Sequence, residues 1–115
     1  MLHPEYVRGF IDAEGCFYYN RRARYNHVSF RLYNKNANIL EQLTEFFGCG
    51  HIYHNNHGTN KDVSELVMQS KAELKVLLKF VDEYPPIVKQ TNRPRNVHAV
   101  TTFKEWCDVT KKYLE

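Results

Sequence analysis

The sequence predicts a single α+β domain in which helices and two β-hairpins follow one another in the order α-β-β-α-β-β-α-α. Two observations lead to this prediction. Apolar residues recur at helical spacing in four segments and alternate with polar residues in four others, and turn-forming residues separate these segments. A chain of 115 residues can bury one hydrophobic core, so residues 1–115 are interpreted as one domain.

The first helix is predicted to run from Pro4 to Glu14, because proline suits a first helical turn and apolar residues then recur at helical spacing. Gly15 is predicted to end this helix in the left-handed conformation. The segments Cys16–Arg22 and Val28–Tyr33 alternate between apolar and polar residues, and a basic turn joins them. They predict a hairpin with one apolar face.

A second helix is predicted from about Asn36 to Phe47, with Gly48 just past its end. The segments His51–His54 and Val63–Gln69 flank a turn-forming stretch and predict a second hairpin. A helix followed by a hairpin is therefore predicted twice along the chain.

Two further helices are predicted after the second hairpin, each at a capping-box pattern. Ser70–Glu73 precedes the first of these helices, and Pro85 and Pro86 prevent its continuation. Thr102–Glu105 precedes the second. Between them, residues 90–95 are predicted to form a polar loop.

The composition excludes several classes of protein. Cys16, Cys49 and Cys107 are odd in number and widely spaced, which indicates free thiols rather than a disulfide framework. The N-terminus resembles neither a secretory signal nor a transit peptide, and no apolar run approaches membrane-spanning length. We therefore expect a soluble intracellular protein without a membrane partner. The net charge of +3 does not by itself indicate nucleic-acid binding. That function has to be judged from the positions of the basic residues.

The end of the first helix combines small residues with an acid. Gly9 and Ala13 lie four residues apart, so they share one helical face, on which another backbone can approach closely. Glu14 would then stand at the end of the helix pair, and a symmetric pair would bring two carboxylates together. A hard divalent cation with oxygen ligands, Mg²⁺ or Mn²⁺, would relieve their repulsion. The ordinary alternative is packing inside one subunit and a solvated acid.

The segment from Val7 to Gly15, VRGFIDAEG, resembles the nine-residue LAGLIDADG motif of homing endonucleases. The positions that match outright are Gly9, Ile11, Asp12, Ala13 and Gly15, and Phe10 and Glu14 are close in type. The resemblance extends to the α-β-β-α-β-β-α order and covers nearly the whole chain. A motif in its expected structural context is more specific than the motif alone.

The resemblance implies a four-stranded antiparallel sheet that forms a saddle over the major groove of double-stranded DNA. It implies a helical dimer interface, and a chain with one motif is expected to form a homodimer on a long, near-palindromic site. The interface residues it implies are Val7, Gly9, Phe10 and Ala13. The expected activity is site-specific double-strand cleavage for intron homing, without a small-molecule cofactor.

Catalytic positions follow from the same resemblance. Glu14 is expected to bind Mg²⁺ or Mn²⁺, with the Gly15 carbonyl as a further ligand. Asn34, at the end of the second strand, and Lys89, after a Tyr-Pro segment, are expected to position or polarise the attacking water. The alternatives are a non-cleaving DNA-binding regulator or intron RNA maturase of the same fold, and one half of a heterodimeric or larger enzyme.

A DNA-binding face is predicted by counting every second residue along the strands, which separates it from a core side with Phe17 and Tyr19. Arginine and amide side chains pair with base edges, and basic side chains neutralise phosphates. The alternative is an ordinary solvated face of an antiparallel sheet. The residues predicted to contact DNA are Tyr18, Asn20, Arg22, Arg24, Arg31, Tyr33, His51, Tyr53, Asn55, Glu65 and Gln69.

A zinc site is the alternative use of Cys49, His51, His54 and His57. The histidines follow one another at a spacing of three residues, which sends successive side chains of a strand to opposite faces. We therefore do not expect these residues to share one zinc ion.

Overall fold

Four helices and four strands follow the predicted order in a computed structural model, which describes residues 2–20, 27–54, 63–87 and 102–115. The elements are α1 (Pro4–Glu14), β1 (Gly15–Asn20), β2 (His27–Asn34), α2 (Ala37–Phe47), β3 (His51–His54), β4 (Ser64–Met68), α3 (Lys71–Glu83) and α4 (Phe103–Tyr113). The predicted fold class is confirmed, and most element bounds agree with the prediction to within one residue. The predicted end of the first strand at Arg22 lies outside the described residues.

The four strands form one antiparallel sheet with the order β1-β2-β4-β3. Each hairpin contributes one central and one edge strand. The two hairpins join through β2 and β4, whose register runs from Phe30 opposite Met68 to Asn34 opposite Ser64. A single sheet therefore connects both halves of the chain.

The hydrophobic core lies between the helices and one face of this sheet. Phe30, Leu32 and Leu66 are fully buried on that face, and Leu40, Leu74 and Trp106 cover them from the helices. Alternate residues of each strand face the core, as the period of two predicts. The helices in the described ranges therefore leave the opposite face of the sheet uncovered.

The aromatic ring of Phe17 fixes α4 against the sheet. It lies 5.1 Å from the ring of Phe30, 5.2 Å from that of Phe103 and 4.9 Å from that of Trp106, measured between centroids. The Trp106 indole N–H donates a 3.1 Å hydrogen bond to the backbone carbonyl of Ser29. Buried aromatic residues of this kind are worth about 3–5 kcal/mol each when truncated to alanine, so α4 is an integral part of the core.

Local capping explains most of the helix boundaries. Asn36, Ser70 and Thr102 are N-caps whose side chains accept backbone N–H bonds in the first turn. Ser70 forms a complete capping box with Glu73. Gly48 ends α2 in the left-handed conformation at φ 74°, as predicted. None of the helices in the described ranges is long and apolar enough to span a membrane.

Gly15 does not provide the left-handed helix end that was predicted. Its backbone is extended, at φ −72° and ψ 149°, so α1 passes directly into β1. Glycine is needed there for space, because a Cβ would lie 2.7 Å from the carbonyl oxygen of Ile11 and 2.7 Å from Cε1 of Phe30. The close approach of the Phe30 ring, rather than backbone conformation, explains this residue.

Candidate functional site

One face of α1 is open to solvent within the chain. Tyr6 is 52% exposed and its ring stacks on that of Phe10 at 6.2 Å, while Gly9 and Ala13 are exposed further along the same side of the helix. No described atom lies within 4 Å of the position that a Cβ on Gly9 would occupy. The small residue at this position is therefore not explained by packing among the described residues.

The predicted interface of α1 has to be corrected at Val7. Its side chain is fully buried in the core, on the same side as Ile11, so it is not available to a second chain. Tyr6 lies on the open face instead. The helical spacing of Tyr6, Gly9 and Ala13 is the sequence signal that could have identified it.

Glu14 ends α1 and is exposed at the rim of an open cleft. Gly15 pairs with Leu32, so the last residues of β2 lie beside the end of α1. The cleft has a volume of about 400 Å³ and its lining residues are Glu14, Tyr33, Asn34, Lys35 and Val63. The fold therefore brings together Glu14 and Asn34, two of the three predicted catalytic residues.

Lys35 and Val63 belong to the cleft but were not predicted. Lys35 directly follows Asn34, and its presence could have been inferred from the same strand end. Val63 precedes β4, and its place depends on the pairing of β4 with β2, in which Ser64 lies opposite Asn34. Such a pairing between hairpins is not visible in local sequence.

Asn34 has a fixed orientation at the end of β2. Its Oδ1 accepts a 2.8 Å hydrogen bond from the backbone N–H of Asn36, in the turn that leads into α2. The side-chain amide N–H groups remain able to donate to another acceptor. Asn34 thus combines a structural role in the turn with a place in the cleft.

Lys89, the third predicted catalytic residue, lies outside the described residues. The chain is tied to α1 just before it, because the backbone N–H of Ile87 donates a 2.9 Å hydrogen bond to Oδ2 of Asp12. Asp12 is therefore the residue that links α1 to the segment following α3.

The oxygen atoms that line the cleft of one chain are of the kind that binds a hard cation, but one chain offers few of them. Carboxylate and amide oxygens line the cleft, and oxygen is the ligand that Mg²⁺ and Mn²⁺ prefer. Within the described ranges, no group of three or more His, Cys, Asp and Glu residues is placed to hold a metal ion.

The sheet face opposite the core carries the predicted polar side chains. Cross-strand register places Tyr18, Arg31 and Tyr33 on this face with Glu65 and Tyr53, and His51 follows at the edge. Tyr53 is 54% exposed and Tyr33 is 39% exposed. We call this surface the outer face. Gln69 is exposed just beyond β4, and Asn20 pairs with His27, while Arg22, Arg24 and Asn55 lie outside the described residues.

A network of polar side chains crosses the middle of the outer face. Arg31 Nη1 lies 2.7 Å from Glu65 Oε1, and the Arg31 guanidinium carbon lies 5.9 Å from the centre of the Tyr18 ring. Tyr33 neighbours both Arg31 and Tyr18 and interacts with them electrostatically. Burial and the Glu65 charge raise the pKa of Tyr33, and burial also raises the pKa of Tyr18, so both phenols are neutral donors at physiological pH.

His51 and Glu73 meet at the edge of the outer face. His51 Nε2 lies 3.6 Å from Glu73 Oε2. Burial raises the pKa of Glu73, but the backbone N–H groups of Ser70 and Gln69 outweigh this effect, and the net pKa is lowered. His54 lies on the other side of β3, where Nδ1 contacts Ser64 Oγ at 2.9 Å. His57 is outside the described residues.

The comparisons with known proteins agree on one family. A family model for the LAGLIDADG endonuclease matches residues 7–109. A Podospora anserina protein, an uncharacterized 50.9 kDa protein in ND4 intron 1, is 32% identical over 73% of this chain. The chain spans 20% of the length of that relative.

Solved structures share the fold over most of the chain. The homing endonuclease I-TnaI is 28% identical, with a TM-score of 0.75 over 97% of this chain and 74% of its own. I-SmaMI bound to uncleaved DNA in the presence of calcium ions is 32% identical, with a TM-score of 0.63 over 76% of this chain and 32% of its own. The meganuclease I-AabMI bound to uncleaved DNA has a TM-score of 0.76 at 24% identity, and this chain spans 37% of it.

Proposed function

The chain belongs to the LAGLIDADG endonuclease family, and from this premise we propose that it is a site-specific DNA endonuclease that cuts both strands of a long, near-palindromic site. The observation that carries the proposal is the position of Glu14. Its carboxylate stands at the end of an open helical face and at the rim of a cleft with Asn34 and Lys35. A carboxylate at this position can lie close to both a second subunit and a phosphate.

The open face of α1 supports a homodimer. Tyr6, Gly9, Phe10 and Ala13 form a surface on which a second copy of α1 can pack, and Gly9 allows the two backbones to approach closely. An isologous contact repeats the same residues from both sides. A twofold axis at this face would bring the two Glu14 carboxylates together, and the same symmetry would match a palindromic site.

The two Glu14 carboxylates, with the Gly15 carbonyls, would hold Mg²⁺ or Mn²⁺ between them. Such a cation activates water and stabilises the leaving oxygen of a phosphodiester. Asn34 would hold the attacking water by donating from its side-chain amide, whose oxygen is already occupied by the Asn36 N–H. Lys35 would offset the charge of the phosphate, and Lys89 would approach from the segment that Asp12 anchors.

The outer face would contact the major groove. Its arginine, tyrosine and histidine side chains can donate to base edges and phosphates, and the described elements that cover the sheet all lie on the other side. The similar structures of I-SmaMI and I-AabMI are complexes with DNA. That similarity supports double-stranded DNA as the partner of this chain.

The test is cleavage of a library of randomised DNA duplexes in magnesium, in manganese and in EDTA, with sequencing of the bound and the cut ends. We expect metal-dependent cuts flanked by an inverted repeat, and an assembly mass of two chains. Specific binding without cuts in either metal would instead favour a DNA-binding regulator, or a maturase if structured RNA is bound more tightly. Cuts flanked by a site without symmetry would favour one half of a larger or heterodimeric enzyme.

A further inference from the structure

Glu65 is an acid at the centre of a surface that, on the proposed function, approaches the DNA polyanion. A carboxylate there opposes binding to phosphates, so its presence needs a reason. Its contacts supply one. Glu65 lies opposite both Tyr33 of β2 and Tyr53 of β3, and its Oε1 accepts from Arg31 Nη1 at 2.7 Å.

Two contacts restrict the Arg31 guanidinium. Glu65 accepts a hydrogen bond from one terminal nitrogen at 2.7 Å, and the centre of the Tyr18 ring lies 5.9 Å from the guanidinium carbon. The side chains of Arg31 and Glu65 are only 32% and 21% exposed. A free arginine samples many rotamers, whereas this one has lost much of that freedom before any DNA binds.

An arginine fixed in this way retains donors for a base. The guanidinium carries five N–H groups in a rigid plane, and the contact with Glu65 leaves others available. A guanine presents two acceptors, O6 and N7, in the major groove, and a correctly oriented arginine binds both. The carboxylate fixes the plane of the guanidinium and also makes a phosphate a poor competitor for it.

We propose that Glu65 is a specificity-determining residue, which holds Arg31 in the orientation that reads one guanine in each half of the DNA site and disfavours contact with the backbone. This inference rests on the proposed function, because it requires that the outer face contacts double-stranded DNA. Tyr33 belongs both to this network and to the Glu14 cleft. The guanine that is read therefore lies in the part of each half-site near the cut.

The experiment compares Glu65→Gln with wild type in a binding selection from randomised DNA duplexes, with calcium in place of magnesium. Glu45→Gln on α2 is the matched control, because it removes the same charge from an exposed position outside the sheet. We expect Glu65→Gln to reduce the guanine preference at one position per half-site by roughly tenfold. Its affinity for random duplexes should rise by roughly threefold, because one repulsive charge is removed. Glu45→Gln should leave the preference unchanged.

A second variant tests whether Glu65 acts through Arg31. Arg31→Lys keeps the charge but loses the planar pair of donors, so it should remove the same guanine preference. In the variant that carries both Glu65→Gln and Arg31→Lys, the loss of guanine preference should be smaller than the sum of the two single losses. A preference that survives in Glu65→Gln or Arg31→Lys, a loss spread evenly over all positions, or additive effects would overturn the inference.

Failure of the proposed function has a different signature. Wild-type protein that selects no sequence from the library would overturn both proposals, whereas a specific wild-type profile without the single-position change would overturn only the role of Glu65. Thermal unfolding of each variant shows whether it folds. If Glu65→Gln does not fold, Glu65→Ala takes its place, because it removes the same carboxylate and should cause the same loss at one position.

Discussion

The aromatic ring of Phe30 packs directly against the backbone of Gly15, where α1 passes into β1. A Cβ at this position would lie 2.7 Å from Cε1 of Phe30 and 2.9 Å from its Cζ, and Ile11 closes the space from the other side. Because Phe30 is fully buried, its ring has little room to move. We therefore expect Gly15→Ala to lower the free energy of unfolding by about 2 kcal/mol, as measured by urea denaturation.

Gly9→Ala is the matched control for that prediction. No described atom lies within 4 Å of its Cβ position, and alanine favours a helix more than glycine does. The single chain should be stabilised by up to about 1 kcal/mol. A loss of stability in Gly9→Ala comparable to that in Gly15→Ala would contradict the assignment of open space at one glycine and close packing at the other.

Gly9→Leu separates subunit folding from subunit association. The larger side chain has room within the chain, but it should prevent the close approach of two α1 helices, so the proposed dimer should dissociate. Sedimentation gives the mass of the assembly, and denaturation at concentrations at which wild type is monomeric gives the stability of one chain. An unchanged dimer mass would show that α1 is not the interface.

Glu14→Gln should remove cleavage and preserve binding. The variant keeps the size of the side chain but loses the charge that binds a cation, so cleavage should fall by at least about a hundredfold. The dissociation constant for the selected duplex in calcium-free buffer should change little. Glu41→Gln, an exposed change on α2, is the control. Residual cleavage near the wild-type rate would exclude Glu14 as the metal-binding carboxylate.

Asp12→Ala tests the link between α1 and the segment that follows α3. The hydrogen bond from Ile87 would be lost, at a cost of about 1 kcal/mol in the free energy of unfolding. Because Lys89 follows two residues later, we also expect cleavage to fall by roughly tenfold. Asp108→Ala on α4 is the control. If Asp12→Ala cleaves as fast as wild type, the hydrogen bond between Asp12 and Ile87 does not affect catalysis.

Glu73→Gln tests the pH dependence of the capping box at the start of α3. The folded-state pKa of Glu73 is lowered, so its charge stabilises the fold above the ordinary carboxyl value of 4.5. This contribution is lost as the pH falls from that value through the lower folded pKa. The variant should therefore be about 1 kcal/mol less stable than wild type at neutral pH, with the difference vanishing in acid. A difference that persists in acid, or that Glu83→Gln reproduces, would contradict this account.

Secondary structure was predictable because its signals are local. The caps Asn36, Ser70 and Thr102 and the glycine end at Gly48 involve contacts within one helical turn. The division of the strands into a core face and an outer face follows from the geometry of an extended chain. The prediction for Gly15 was wrong because the Phe30 ring, fifteen residues further along the chain, decides that position.

The candidate site was predictable only in part. The motif residues in α1 indicated Glu14 and the open face, but local spacing did not decide which way the helix faces the sheet. Val7 is buried in the core, and Tyr6 lies on the open face of α1 in its place. Lys35 and Val63 enter the cleft through the pairing of β2 with β4, a contact between distant parts of the sequence.

The sequence by itself determined the order and type of the elements, the faces of the strands and the helix carrying the acid, because each depends on residues a few positions apart. Only the tertiary structure decided the strand order β1-β2-β4-β3, the cleft that joins Glu14 to Asn34 and the hydrogen bond from Ile87 to Asp12. It also decided the pairing of Arg31 with Glu65. These contacts form when one core orients all the helices against one sheet, and no local pattern encodes that packing.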